Sequence, residues 1–352
     1  MGAPRPERVG FVPEAARPWS YTAAGGSADG VSTDAASRRT GYLFVLGSSL
    51  LWSTNGLTSR LLFDSGAIAP RQLAALRIYG AALLLAPLVI RARPVLSRRE
   101  WRNVALFGVF GVSLPQWLYF EAIARIPVPI ALVIVYTAPV LLTAYDRFAH
   151  RRRLSVVVYA AIAVAVIGVI LAVTGGKGGA GALAFVGVLL AVATTFAYAG
   201  QILVASVQPA QLHPMVRTGL GMAAGCLFWI VLSPIWQLPF GNATTAIDLG
   251  PRIGTTLPLW VLALYVMVCG TALPYALLVA GSPRIGAAAA SVTGMVEPVA
   301  ASVLAWVLLN QMLELIQIVG IVIGLVGVTV AEVWRTRHLS KNAPTLAVSV
   351  GT

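Results

Sequence analysis

Ionisable side chains are scarce in this 352-residue chain: Asp, Glu, Lys and Arg make up 11% of it, where a soluble domain carries roughly 25%. A water-soluble fold would have too little polar surface to cover itself. Cysteine is limited to Cys226 and Cys269, both inside apolar segments, so neither a disulfide framework nor a thiolate metal site is expected. The three histidines, His150, His213 and His338, are scattered in or near polar connections, which leaves no histidine metal site and no cofactor to expect. Acids number 12 against 25 basic residues, a formal charge of +13. The arginines nevertheless sit in short clusters between apolar stretches, without the aromatic-interleaved groove that nucleic-acid binding needs. Lysine occurs only at Lys177 and Lys341, and with abundant Ala and Gly this points to a GC-rich bacterial gene and a cytoplasmic-membrane location.

What the chain has in quantity is apolar sequence: 58% hydrophobic residues and a mean hydropathy of +0.83. Between Gly41 and Val333 the apolar runs reach about 20 residues, enough to cross a hydrocarbon core of about 30 Å. The expected fold is an all-α polytopic membrane protein with ten transmembrane helices near 41–63, 70–90, 101–122, 129–148, 154–174, 182–206, 215–236, 258–280, 287–309 and 315–334. Arg38 and Arg39, the cluster Arg91, Arg93, Arg98, Arg99 and Arg102, then Arg147 with Arg151 to Arg153, Arg217, Arg284, Arg335 and Arg337 all fall on one side. By the positive-inside rule that side is the cytoplasm, and both termini belong there. Residues 1–40 lack a signal-peptide core and read as a disordered cytoplasmic tail; 338–352 read as a second, shorter tail.

Shifted by 159 residues without a gap, the chain matches itself. Gly111 falls on Gly270, Leu114 on Leu273, Pro115 on Pro274, Arg125 on Arg284, Pro139 on Pro298 and Gly168 on Gly327. Two units follow, 41–174 and 182–334, each with five spans. Because five is odd, the second unit enters the membrane from the opposite side, giving inverted repeats around a midplane solute site.

Short motifs run through the same spans: Leu51-Trp52 then Asn55-Gly56, Ala74-Ala75-Leu76-Arg77, Tyr119-Phe120-Glu121-Ala122-Ile123, Thr137-Ala138-Pro139-Val140 and Glu297-Pro298-Val299-Ala300. In their order and their five-plus-five arrangement they resemble the drug/metabolite transporter superfamily, in particular its bacterial ten-helix EamA-type members. The resemblance implies export of amino acids, related metabolites or drugs. One departure stands out: where such proteins often carry a Gly-Glu pair about thirteen residues after the proline of spans four and nine, this chain has Arg152 and Gln311. No role of that Glu carries over.

Glu297 lies near the middle of span nine, where an ionised carboxylate costs about 2.5–3.5 kcal/mol on insertion scales and so should face the interior. It is either a proton-coupling or cation-recognising group, or a structural acceptor paired with a donor such as Arg77. Arg77 in turn either snorkels to the interface, serves structure or gating, or offers its planar fork to a substrate carboxylate or phosphate. Pro115, Pro139, Pro274 and Pro298 are hinge candidates, since each removes a backbone hydrogen bond within a span. Trp52, Asn55, Gln116, Tyr119, Tyr136, Tyr198, Gln201, Tyr265, Tyr275 and Thr293 are candidates, with Arg77, to line a cavity for a mostly apolar solute with a polar end. Against this stand interfacial belts for Tyr119 and Tyr265, and helix bridging for the amides. Gly221 with Gly225, and Gly320 with Gly324, have close-packing spacing, so the protein is read as a monomer or a homodimer.

The functional expectation is a secondary active transporter of a small-molecule substrate, proton-coupled if Glu297 titrates, with the lipid bilayer as its other partner. A passive facilitator, channel or scramblase, or an integral membrane enzyme, are the rivals. The last lacks converging nucleophiles, bases or metal ligands. Gly175-Gly176-Lys177-Gly178 lacks phosphate-loop spacing.

Overall fold

In a computed structural model, residues 35–149, 155–175, 182–206, 212–250 and 252–341 are described. The expected tail up to residue 34, His150 with Arg151 to Arg153, the Lys177 decoy and the chain from 342 lie outside them. Fourteen helices follow in order. They are α1 Ala35–Asp64, α2 Pro70–Ala92, α3 Arg98–Leu106, α4 Leu114–Ile123, α5 Val128–Val135, α6 Ala138–Ala149 and α7 Val156–Thr174 in the first part. The second part holds α8 Ala182–Ser206, α9 Pro214–Leu232, α10 Leu259–Met267, α11 Leu273–Ile285, α12 Ala287–Gly294, α13 Val296–Leu309 and α14 Leu315–Lys341.

Among the described residues nine stretches are long and apolar enough to cross a membrane, from Pro70–Ala92 to Leu315–Trp334. The protein is a multi-pass helical membrane protein. α1, which corresponds to the first expected span, is 30 residues long but falls outside that set. The reason is its composition: Ser48, Ser49, Ser53, Asn55 and Ser59 occupy one inward face and are each at most 3% exposed. Their hydroxyls are largely spent on backbone carbonyls, Ser49 to Val45 at 3.0 Å, Ser53 to Leu50 at 2.7 Å, and Ser48 across to Pro274 of α11 at 2.9 Å. α1 also starts at Ala35 rather than 41, and α14 runs to Lys341 rather than 334.

Four expected spans are not single straight helices. The third is α3 and α4 joined by a π-helical segment, Phe107–Ser113, and the eighth is α10 and α11 joined by another, Val268–Ala272. Each ends just before a proline, Pro115 and Pro274. Hydroxyls reach back five residues to steady both segments, Ser113 to Gly108 at 2.8 Å and Thr271 to Val266 at 3.1 Å. The fourth and ninth spans are likewise interrupted, α5 from α6 at Tyr136–Thr137 and α12 from α13 at Met295, ahead of Pro139 and Pro298. These interruptions recur at the 159-residue spacing because proline withholds the N–H that an uninterrupted helix would use.

The described chain is helical apart from one short connection. The connection after α9, which ends at Leu232 rather than 236, contains two short 3₁₀ turns and an antiparallel hairpin, β1 Ala246–Asp248 with β2 Thr256–Pro258. Its three-residue strands are too short for an alternating pattern to register. Leu238 and Ile247 from this connection are buried in the main core, and Asn242 Nδ2 donates to Ala67 O at 3.0 Å.

Helices α7 and α14 pack most closely. The glycines whose spacing suggested tight packing are used here: a Cβ at Gly168 would strike the Gly324 backbone nitrogen and come within 2.7 Å of Gly320 O, and one at Gly327 would strike Ala165 N. Gly221 and Gly225 similarly accommodate Phe107 and Ser113. Gly168→Leu is expected to destabilise the fold by about 1–3 kcal/mol, since the obstacle is backbone that cannot swing aside. Gly200→Ala, which meets nothing within 4 Å, serves as the control. Equal melting temperatures in detergent for the two variants would contradict this account of the α7–α14 crossing.

Candidate functional site

The site begins with Arg77. It lies in α2 and is 3% exposed, so its guanidinium points into the bundle rather than out to the interface. Nη1 donates to Gln116 Oε1 at 2.7 Å, Nε donates to Thr271 Oγ1, and Nη2 donates to the carbonyl of Gly270 at 2.6 Å. The ring of Phe120 lies 5.6 Å from its central carbon. The Gly270 carbonyl needs a partner for a local reason: its α-helical donor would be the N–H of residue 274, and that residue is proline. Arg77 thus donates to a carbonyl to which Pro274 offers no N–H. Thr271, Gly270 and Phe120 were not among the sequence candidates. The signal for the first two is the run Gly-Thr-Ala-Leu-Pro, a carbonyl and a hydroxyl placed ahead of an in-span proline.

The same logic repeats at the other interruption. The carbonyl of Gly294 loses its α-helical donor to Pro298, and Tyr136, at the break between α5 and α6, places its hydroxyl 3.2 Å from it. That hydroxyl also lies 2.8 Å from Glu297 Oε2. Glu297 is in the first turn of α13, where the helix N-terminus favours a negative charge. It retains some accessible surface, and a Cβ on Gly294 would meet nothing within 4 Å, so open space adjoins the pair.

Arg77, Tyr119, Tyr136, Tyr198, Tyr275 and Glu297 share one electrostatic neighbourhood. Arg77 and Glu297 do not pair directly; ion pairs form elsewhere, at Arg60–Asp64 and Arg125–Glu121. Trp52 packs edge-on against Tyr275 with ring centres 5.4 Å apart. Tyr265 bonds to Thr54 Oγ1 at 2.6 Å, tying α10 to α1. Tyr119 is 7% exposed and lies against Gly56. Asn55 is 3% exposed, packs on Gly270, and its Oδ1 has no hydrogen-bond partner among the described residues. Gln201 is half-buried one turn beyond Tyr198. Thr293 sits elsewhere, on a groove at the basic end of α1. Of the hinge candidates, Pro115 and Pro274 follow the π segments, and Pro139 and Pro298 follow the breaks.

Chemically, the arrangement offers a carboxylate beside open space, a ring of phenols, and an arginine with three of its five donors already engaged. Among the described residues, no three His, Cys, Asp or Glu side chains converge as metal ligands would.

Replacing Arg77 by Lys removes the fork that serves Gln116, Thr271 and Gly270 together, and should cost about 2 kcal/mol of stability in a detergent unfolding titration. Thr271→Val, which leaves the other two bonds intact, should cost less. A stability for Arg77→Lys equal to that of the parent protein would show that these bonds contribute nothing net.

Comparison with known proteins bears on the family and the fold. The EamA-like transporter family matches the chain twice, over residues 39–174 and 185–332. A Salmonella typhimurium protein named uncharacterized inner membrane transporter YicL is 24% identical over 279 residues, 78% of this chain and 89% of that protein. A Clostridium kluyveri protein named uncharacterized transporter is 21% identical over 294 residues, covering 82% and 91%. A solved crystal structure superposes with a TM-score of 0.52 at 18% identity, over 86% of this chain and 99% of that one, a likeness of fold. With matched halves on either side of a shared buried polar cluster and a family match over most of its length, the chain belongs to the EamA-like transporter family.

Proposed function

We propose that the protein is a secondary active transporter of the bacterial cytoplasmic membrane that exports a small amino-acid-like metabolite or drug by alternating access. In this reading α1 is a tenth span, the two family-matched units are inverted five-span repeats, and both termini are cytoplasmic. The observation that carries it is the bond across the two units at their matched breaks: Tyr136 of the first meets Gly294 and Glu297 of the second. Residues 136 and 295 correspond under the 159-residue shift, so each unit contributes its own interrupted span to one central contact, the arrangement that inverted-repeat carriers use around a midplane site. The family and the transporter names of its relatives support the same conclusion.

Glu297 is the coupling group in this scheme. A tyrosine hydroxyl has one proton to give. With Glu297 ionised, Tyr136 donates to the carboxylate; with Glu297 protonated, the carboxyl O–H donates to the tyrosine oxygen and frees the phenol proton for the Gly294 carbonyl. Protonation thus re-pairs the break between α12 and α13, giving a local two-state element that a proton gradient biases. Arg77, already bound to both units, holds α2 and α4 to the π segment ahead of α11 while this changes. The substrate cavity is lined by Trp52, Gln116, Tyr119, Tyr198, Gln201 and Tyr275.

Reconstitution in liposomes tests the scheme with a panel of labelled amino acids and metabolites, with and without an imposed pH gradient. Saturable uptake driven by the gradient is expected for the natural sequence and is expected to be lost in Glu297→Gln. Tyr136→Phe should keep the carboxylate but slow gradient-driven uptake by about tenfold, the worth of one charge-assisted hydrogen bond. Uptake that ignores the gradient and survives Glu297→Gln would mean a passive facilitator in which Glu297 is structural.

A further inference from the structure

The N-terminal turns of α1 and Thr293 of α12 border an open groove of about 490 Å³, lined by Ala35, Arg38, Arg39, Tyr42, Leu43, Leu46 and Thr293. The α1 residues recur at three- and four-residue intervals and so form one stripe along the helix. The stripe is graded. Two arginines stand at its outer end, a tyrosine follows, and two leucines continue inward; from Arg38 to Leu46 it runs about 12 Å along the axis.

The arginines are exposed, and among the described residues neither takes part in an ion pair. No Asp or Glu occurs from residue 35 to 63 in α1, or from 273 to 296 in α11 and α12. The nearest further charge in these helices is another cation, Arg284, whose guanidinium lies over Phe44 and donates to Ala280 O. Tyr42 and Leu43 are 40% and 58% exposed. Thr293 already donates its hydroxyl to Ala289 O at 2.8 Å, so it closes the groove as a wall and not as a donor.

We propose that this groove is a binding site for one anionic phospholipid, its phosphodiester held by Arg38, Arg39 and the Tyr42 hydroxyl and one acyl chain lying along Leu43 and Leu46. Exposed guanidiniums at the end of a helix that carries no acid from 35 to 63 attract a phosphate, and a free phosphate would leave the apolar inner part of the groove unfilled. A zwitterionic lipid brings its own cation and gains less. The seat has a structural consequence, since Thr293 precedes Gly294, whose carbonyl Tyr136 reaches. A chain packed on Thr293 therefore lies beside the interruption that ends α12. The inference rests on the proposed function only for naming the cytoplasmic leaflet; the site itself can be tested without transport.

The test uses the full-length chain in detergent micelles with dioleoylphosphatidylglycerol, dioleoylphosphatidylcholine or inorganic phosphate added, read by native mass spectrometry and by melting temperature. The natural sequence is expected to retain one phosphatidylglycerol selectively and to melt higher with it. Arg38→Gln with Arg39→Gln should weaken retention about thirtyfold, the sum of two interfacial arginines. Leu46→Trp, which fills the groove without changing charge, should also abolish it. Arg98→Gln with Arg99→Gln, exposed arginines of α3, should leave it intact. Equal retention of phosphatidylcholine, protection by inorganic phosphate alone, equal loss in both arginine pairs, or retention in Leu46→Trp would each overturn the proposal.

Discussion

Two backbone carbonyls, Gly270 O and Gly294 O, organise the interior. Proline four residues on deprives each of its helical donor, and in a bilayer no water is at hand to replace it. Both are answered by side chains from the first unit, Arg77 at 2.6 Å and Tyr136 at 3.2 Å. An unmet carbonyl in a low-dielectric interior costs more than a hydrogen bond normally gains, so these cross-unit contacts constrain how the halves can sit together. The prolines thus do more than bend helices: they create acceptors whose satisfaction joins the two units at the central cluster.

The polar character of α1 follows from the same economy of donors. Its serines and Asn55 turn inward against α11 and the π segment after α10, and the hydroxyls of Ser49 and Ser53 fold back on carbonyls while that of Ser48 crosses to Pro274. A helix of this kind is unfit to face lipid all round but suited to the inner side of a bundle. It carries Trp52 to Tyr275 and Thr54 to Tyr265, so aromatic groups of α10 and α11 are supported by α1. Elsewhere the walls are held by glycine, most tightly between α7 and α14, where backbone meets backbone and leaves no room for a side chain.

Much of the architecture was legible before any coordinates. Long apolar runs located the membrane helices to within a few residues, because a span of hydrocarbon imposes a minimum length and composition. The 159-residue self-match located all four interruptions through their prolines, although it expected hinges and did not anticipate that two would be π segments and two would be breaks. The hairpin between α9 and α10 was invisible, since strands of three residues show no period. The early start of α1 was missed because Arg38 and Arg39 looked like a boundary, whereas they occupy the first turns of the helix itself.

The sequence by itself determined that the chain crosses a membrane many times, that it repeats, and that an acid and an arginine lie inside, because hydropathy, proline and charge are properties that burial in lipid cannot hide. Only the tertiary structure decided what that acid and arginine face. Arg77 could have snorkelled, bridged Glu297 or stood free; it is instead engaged with Gln116, Thr271 and Gly270, while Glu297 bonds to Tyr136. Those pairings join residues up to 194 positions apart, and only helix packing settles which freed carbonyl lies within reach of which donor.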